Sequence, residues 1–166
     1  MRELLLQANS DWLYITPFGM YGCVNYIKQK YGNPAVVITE NGNGYSSISL
    51  YRVFDFDHTS QSSYQACTNL VNTPTGMDQP GNLTRDEYLN DATRVQFYQS
   101  YLNELKRGID DGANVVGYFA WSLLDNFEWG SGYTSKFGIV YVDFNTLERH
   151  PKASAYWFRD LLQGKH

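Results

Sequence analysis

Pro34-Ala-Val-Val-Ile-Thr-Glu40-Asn-Gly42 is the stretch from which the fold is read. Ala35 to Thr39 form a short, β-branched, continuously apolar run. Such a run predicts a strand covered on both faces, as in a parallel sheet flanked by helices. It breaks off at Glu40, Asn41 and Gly42, a turn signal. Upstream, Met20, Val24 and Ile27 recur at helical spacing between Phe18 and Tyr31, and Gly32-Asn33-Pro34 stops that helix. Residues 11–17, Asp-Trp-Leu-Tyr-Ile-Thr-Pro, read as a loop or short extended piece ended by Pro17.

Downstream, Thr84-Arg-Asp-Glu87 has the form of a capping box and predicts a helix start. Behind it Val95, Tyr98, Leu102, Leu105 and Ile109 fall on one stripe, and Gly112 is placed to end the helix. Asn114-Val-Val-Gly-Tyr-Phe-Ala-Trp121 is the second apolar strand, and it runs directly into the polar residues Ser122 to Asn126. Gly138 to Asp143, with Leu147 to Arg149 after a turn, predicts a hairpin. Pro151 then opens a last helix reaching about Leu162, since proline suits the first helical position. Strands alternating with helices imply an α/β layer joined by right-handed crossovers. Two strands do not by themselves make a stable sheet with helices on both faces. The segment is therefore part of something larger, or it folds poorly alone.

Residues 43–76 behave differently. They are rich in Ser, Thr, Asn and Gln and lack a sustained period. A structureless connection longer than about 15 residues is uncommon inside a compact domain.

The totals exclude several classes of partner. Net charge is −4 with no basic run, which argues against nucleic acid and anionic membrane. No apolar stretch approaches the roughly 18 residues of a membrane span, and the start lacks a signal-peptide core, leaving the compartment open. Cys23 and Cys67 share no metal-ligand spacing, nor do His58, His150 and His166, so neither a metal nor a cofactor is expected. Aromatic residues make up 16% of the chain, a load that suits either stacking on sugar rings or a large aromatic core.

Two carboxylates stand out by position. Glu40 ends the first strand, and Glu128 follows the second in Trp121-Ser-Leu-Leu-Asp-Asn-Phe-Glu-Trp129. In parallel α/β folds, side chains at the carboxyl ends of strands face the crevice where ligands bind. Acids flanked by aromatics fit glycoside chemistry, in which one carboxylate attacks an oxocarbenium-like centre and others hold hydroxyls. Each feature also has a plainer reading. A glutamate after a strand can be a turn residue; Phe119, Trp121, Phe127 and Trp129 can be packing; Asp125 can be a helix cap or a loop hydrogen-bonder.

Val37-Ile-Thr-Glu40-Asn-Gly42 resembles the nucleophile signature of family 1 glycoside hydrolases. The run from Asp111 through Trp121 and Trp129 to Thr134 is similar to the last barrel strand and following loop of plant β-glucosidases. Lys136 to Asp143, Arg149 to Trp157, Ser10 to Ile15 and Lys30 to Pro34 continue the resemblance in order. It covers nearly the whole chain apart from 43–76 and the first nine residues. The resemblance implies a partial (β/α)8 TIM barrel, its last two strand–helix units, with these strands as the seventh and eighth. It implies a retaining β-glucosidase acting on small-molecule β-glucosides, with Glu40 as nucleophile. Glu128 and Trp129 would bind sugar hydroxyls, Trp121 would form the stacking floor, and Phe137 would lie near the 6-position. Oligomeric state and aglycone are left open.

The chain departs from that family in two ways. The acid/base Glu of a Thr-x-Asn-Glu-Pro motif is absent, although a retaining enzyme needs two carboxyls about 5–5.5 Å apart. The glycone-binding Gln, His and Asn of earlier strands are absent too, as is the segment that orients the nucleophile. At 166 residues the chain is short for a complete barrel, which needs about 200 or more. The expectation is an inactive isolated chain, or a remnant with weak sugar binding. Secondly, in the family the Glu-Asn-Gly signature leads almost directly into a stretch like Met77-Asp-Gln-Pro80. Residues 43–76 are therefore expected to be an insert foreign to the family, such as translated intron.

Overall fold

The computed structural model describes residues 6–10, 14–41 and 77–165. Expectations placed on 11–13, on 43–76, on His58, Cys67 and His166 lie outside those residues. The elements are β1 (Leu6–Gln7), β2 (Tyr14–Ile15), α1 (Phe18–Lys30), β3 (Val36–Asn41), β4 (Gln79–Pro80), α2 (Arg85–Leu89), α3 (Ala92–Asp110), β5 (Val115–Ala120), β6 (Ser135–Lys136), β7 (Val140–Val142), β8 (Arg149–Pro151) and α4 (Ala153–Leu162). The pairing that matters for function is β3 with β5. They are parallel neighbours, running from Val36 opposite Val115 to Asn41 opposite Ala120. β1–β2, β4–β6 and β7–β8 are antiparallel pairs.

Helix α1 buries Met20, Val24 and Ile27, the stripe its spacing predicts, and carries Lys28 and Lys30 in its last turn, where cations favour the helix dipole. Gly32 and Asn33 then take left-handed backbone, with φ of 69° and 58°, and the chain turns into β3. Val36 and Ile38 of β3 meet α1 and the aromatic face of α3, Phe97, Tyr98 and Tyr101, in a single core. Each fully buried aliphatic side chain there contributes about 1.5–3 kcal/mol. Gly108 lets the two helices close: a Cβ at that position would lie 2.4 Å from Val24 Cγ2. Across the same contact the Arg107 guanidinium lies 3.6 Å from the centre of the Tyr21 ring, and the Tyr21 hydroxyl donates to Asp111 at 2.7 Å.

Three expectations need correction. The helix capped by Thr84 is not continuous to Ile109. The capping box forms, with Thr84 and Glu87 each serving the other's backbone N–H. The helix then ends at Leu89, and α3 starts again at Ala92. The break arises because Asp91 turns its carboxylate away from helix capping, toward Ser154 and Arg94. Secondly, the buried face of α3 keeps Tyr98 and Leu105 of the expected stripe, with Leu102 packed against the core, but is shifted away from Ile109. Arg94, Phe97, Tyr98, Tyr101, Leu105 and Gly108 are buried, whereas Ile109 is exposed. Phe97, Tyr101 and Gly108, together with Tyr98 and Leu105 of that stripe, form the side that meets α1 and β3. Thirdly, Pro151 does not open the last helix. It pairs with Val140 in β8, Lys152 is extended, and α4 begins at Ala153. Strand β5 leaves Val116 and Phe119 58% and 61% exposed. Among the described residues β5 has β3 as its one strand neighbour.

Candidate active site

Parallel pairing puts the carboxyl ends of β3 and β5 side by side. Glu40 is the penultimate residue of β3 and is half-buried, and this burial raises its carboxyl above the ordinary range. Asn41 beside it is buried. Its side-chain oxygen accepts from the Tyr118 hydroxyl at 2.6 Å, and its carbonyl accepts from the Trp121 N–H at 3.2 Å. These two bonds fasten the strand carrying Glu40 to the start of the loop carrying Glu128.

Trp121 is held from below by α3, where the Tyr98 hydroxyl donates to its carbonyl at 3.0 Å. The Trp121–Ser122 peptide is cis. The Trp121 indole N–H donates to Glu128 Oε1 at 3.2 Å, so both residues reach the same spot although seven positions apart. Glu128 is buried, 5% exposed. Burial is the main cause raising its carboxyl to about 7, with Asp125 and Asp78 adding to the rise and bonds from Trp121 and Asn126 opposing it. At its backbone Glu128 exchanges hydrogen bonds with Gly132 and Ser131, closing a turn over Trp129–Ser131. Trp129 has a φ of 48° and an indole standing 78% exposed. Phe137 is 2% exposed, and its carbonyl accepts from the Ser122 N–H at 3.2 Å and from the Arg94 guanidinium.

Of the residues singled out in the sequence, Glu40, Trp121 and Glu128 thus share one end of the β3–β5 pair. Trp129 presents its ring to solvent beside them, and Phe137 packs beneath the loop. Asp125 is a loop hydrogen-bonder and not a helix cap: its carboxylate accepts from Gly138 N–H at 2.9 Å and from Lys152 Nζ at 3.1 Å. Sequence reasoning assigned no role to Asp78, Gln79, Asp91, Arg94 or Lys152, all buried beneath or beside this loop. A resemblance at Met77-Asp-Gln-Pro80 marked two of them without saying what they bind. No spacing rule marks the others. Among the described residues no three His, Cys, Asp or Glu side chains group as metal ligands would, and no helix is long and apolar enough to cross a membrane.

Sequence and structure comparisons bear directly on this arrangement. The model of glycosyl hydrolase family 1 matches residues 2–56 and 48–166. The chain belongs to glycosyl hydrolase family 1. Beta-glucosidase 1 of Oryza sativa subsp. japonica is 51% identical over 160 residues, covering 96% of this chain and 24% of that relative. Beta-glucosidase 44 of Arabidopsis thaliana is 48% identical, covering 95% and 24%. Among solved family 1 structures, the rice Os3BGlu6 β-glucosidase superposes with a TM-score of 0.72 at 38% identity, covering 95% of this chain and 27% of that one. The family 1 β-glucosidase of Thermotoga maritima in complex with isofagomine lactam gives 0.70 at 29% identity, covering 99% and 30%. The chain therefore spans about a quarter of the length of its family 1 relatives, and its α/β fold is that of a piece of their barrels.

Proposed function

We propose that this chain carries the nucleophile side of a retaining β-glucosidase site. Glu40 attacks the anomeric carbon of a β-glucoside, and the bond from that carbon to the aglycone oxygen breaks as the glycosyl–Glu40 ester forms. Glu128 and Trp129 hold hydroxyls of the sugar, Trp121 supplies the apolar floor, and Phe137 backs the site near the 6-position. The observation that supports this reading is that Glu40 ends one strand of a parallel pair, while the Trp121–Glu128 bond lies just beyond the same end of the other. Family membership supports it, as does a rice relative solved in a covalent complex with glucose. No metal or cofactor is required by this chemistry.

A complete cycle needs a second carboxyl, to protonate the departing oxygen and then to activate water. No Thr-x-Asn-Glu-Pro sequence occurs within the 166 residues. The chain alone is therefore expected to give no turnover of an aryl β-glucoside. A 2-fluoroglucoside with an activated leaving group needs no such acid for the first step. It should label Glu40, detectable by peptide mass spectrometry and abolished by Glu40→Gln. Labelling should rise with pH, because burial holds Glu40 protonated to higher pH than usual. Labelling elsewhere, or none, counts against Glu40 as nucleophile. Turnover that disappears in Glu40→Ala would overturn the inactive reading.

The missing acid also favours a second reading, a non-catalytic remnant that binds sugar weakly. Quenching of the exposed Trp129 indole by an iminosugar, without fluoroglucoside labelling, would select it. Residues 43–76 are proposed to be foreign to the family. The support is the segment's own composition and the way Glu40-Asn-Gly42 and Met77-Asp-Gln-Pro80 join when it is left out; the family match, in two stretches that overlap at 48–56, runs through it. A mature transcript sequenced across it decides the matter, and an intact message carrying the insert would count against an intron.

A further inference from the structure

The loop bearing Trp121 and Glu128 rests on a buried charged cluster that none of the sugar-binding roles uses. At its centre Asp125 and Lys152 are both fully buried as side chains and lie 3.1 Å apart. The Asp125 carboxylate also accepts the N–H groups of Gly138 at 2.9 Å and Val142 at 3.4 Å. Lys152 donates in addition to Gln79 Oε1 at 3.0 Å, while its own N–H donates to the Ile139 carbonyl at 2.9 Å. Between these anchor points the 122–125 loop and the 137–140 segment exchange backbone bonds: Ser122 with Phe137 and Ile139, and Val140 with Leu123 and Asp125. The two backbones approach so closely that a Cβ on Gly138 would lie 2.2 Å from Asp125 N.

A buried ion pair contributes little net stability over an apolar pair of the same shape, because both charges lose their hydration. What this one does uniquely is fix direction. A carboxylate held at once by two backbone N–H groups and an ammonium admits one loop conformation, and Glu128 follows three residues later.

We propose that Asp125 and Lys152 are positioning residues for Glu128, clamping the 122–125 loop onto the 137–142 segment so that the Glu128 carboxyl stays on the Trp121 indole. The functional weight of the clamp rests on the reading of Glu128 as a sugar-binding group, but the clamp itself is testable without sugar. The charged and titratable groups around it are Asp78 beside β4, Tyr88 from α2, Asp91 and Arg94 at α3, Lys136 from β6, Tyr141 from β7, and Glu128 itself.

The test uses the 166-residue chain with nitrogen-labelled tryptophan, the Trp121 indole resonance being identified among the four by its loss in Trp121→Phe. Asp125→Asn and Lys152→Met should each speed exchange of the Trp121 indole proton about tenfold or more, as a buried bond is left unmade. Backbone amides of α1 and α3 should keep their protection. Unchanged indole exchange in both variants overturns the proposal. So does a rise matched by the amides of α1 and α3, which signifies general loosening. If Lys152→Met does not fold, the near-isosteric Asp125→Asn carries the test alone. Faster indole exchange in a chain that binds no sugar would sustain the clamp and remove Glu128 as a sugar ligand.

Discussion

Glu128 combines a carboxylate with a site that hides it from water, and the sign of the resulting pH effect can be worked out. Its folded value of about 7 stands above the ordinary 4.5, so between those values the folded chain keeps a proton that the unfolded chain has lost. The contribution of Glu128 to stability is thus fully present below the ordinary value and is lost as pH rises through about 7. Glu128→Gln removes this dependence. Melting curves at about pH 5 and about pH 8 should show a gain from the substitution that is larger at the higher pH. An equal effect at both would mean that the carboxyl is hydrated after all. Gly138 poses a steric question at the same scale. A Cβ there meets backbone atoms, Asp125 N, Leu124 C and Val140 O, all within 2.7 Å. Gly138→Ala should therefore destabilise the chain by about 1–3 kcal/mol, as overpacking does, measurable by urea unfolding. A neutral result would show that the loop can be displaced cheaply.

At the scale of elements, the junction of α2 and α3 is where side-chain chemistry overrides helix propensity. Residues from Arg85 to Asp110 would read as one helix, yet Asp91 binds the Ser154 N–H at 2.8 Å and its hydroxyl at 2.6 Å, and pairs with Arg94 Nε at 3.0 Å. One acid thereby docks the start of α4 onto the start of α3. Asp91→Ala leaves the Arg94 guanidinium buried without its carboxylate, a loss of about 3–5 kcal/mol. Urea unfolding monitored by circular dichroism reads that loss, and a change below about 1 kcal/mol would place the Ser154 and Arg94 contacts among the dispensable ones. The capping box one turn earlier was legible because both partners are four residues or fewer apart. The Asp91–Ser154 contact was not, because its partners lie 63 positions apart.

For the whole molecule, the decisive feature among the described residues is that the β3–β5 sheet has two strands. The described residues give β3 and β5 one hydrogen-bonded neighbour each, and the second strand exposes Val116 and Phe119. Open edges and apolar faces of this kind pair with other chains. Val116→Lys together with Phe119→Lys should shift the chain from associated species toward monomer in size-exclusion chromatography. An unchanged elution profile would mean that this face is not what drives association. The two substitutions leave Glu40 and the Trp121–Glu128 pair untouched, so fluoroglucoside labelling can be compared before and after.

By itself the sequence determined the local pieces: the α1 stripe, the Thr84–Glu87 box, the two apolar strands and the acids placed at their ends. These depend on neighbours a few residues away, where periodicity and turn chemistry are readable. Tertiary structure alone decided that α3 leaves Ile109 exposed, that Pro151 pairs in a strand, and that Gln79 and Lys152 meet 73 residues apart under the Glu128 loop. A buried polar contact is chosen by which distant donors and acceptors lose water together, and one-dimensional spacing carries no trace of that.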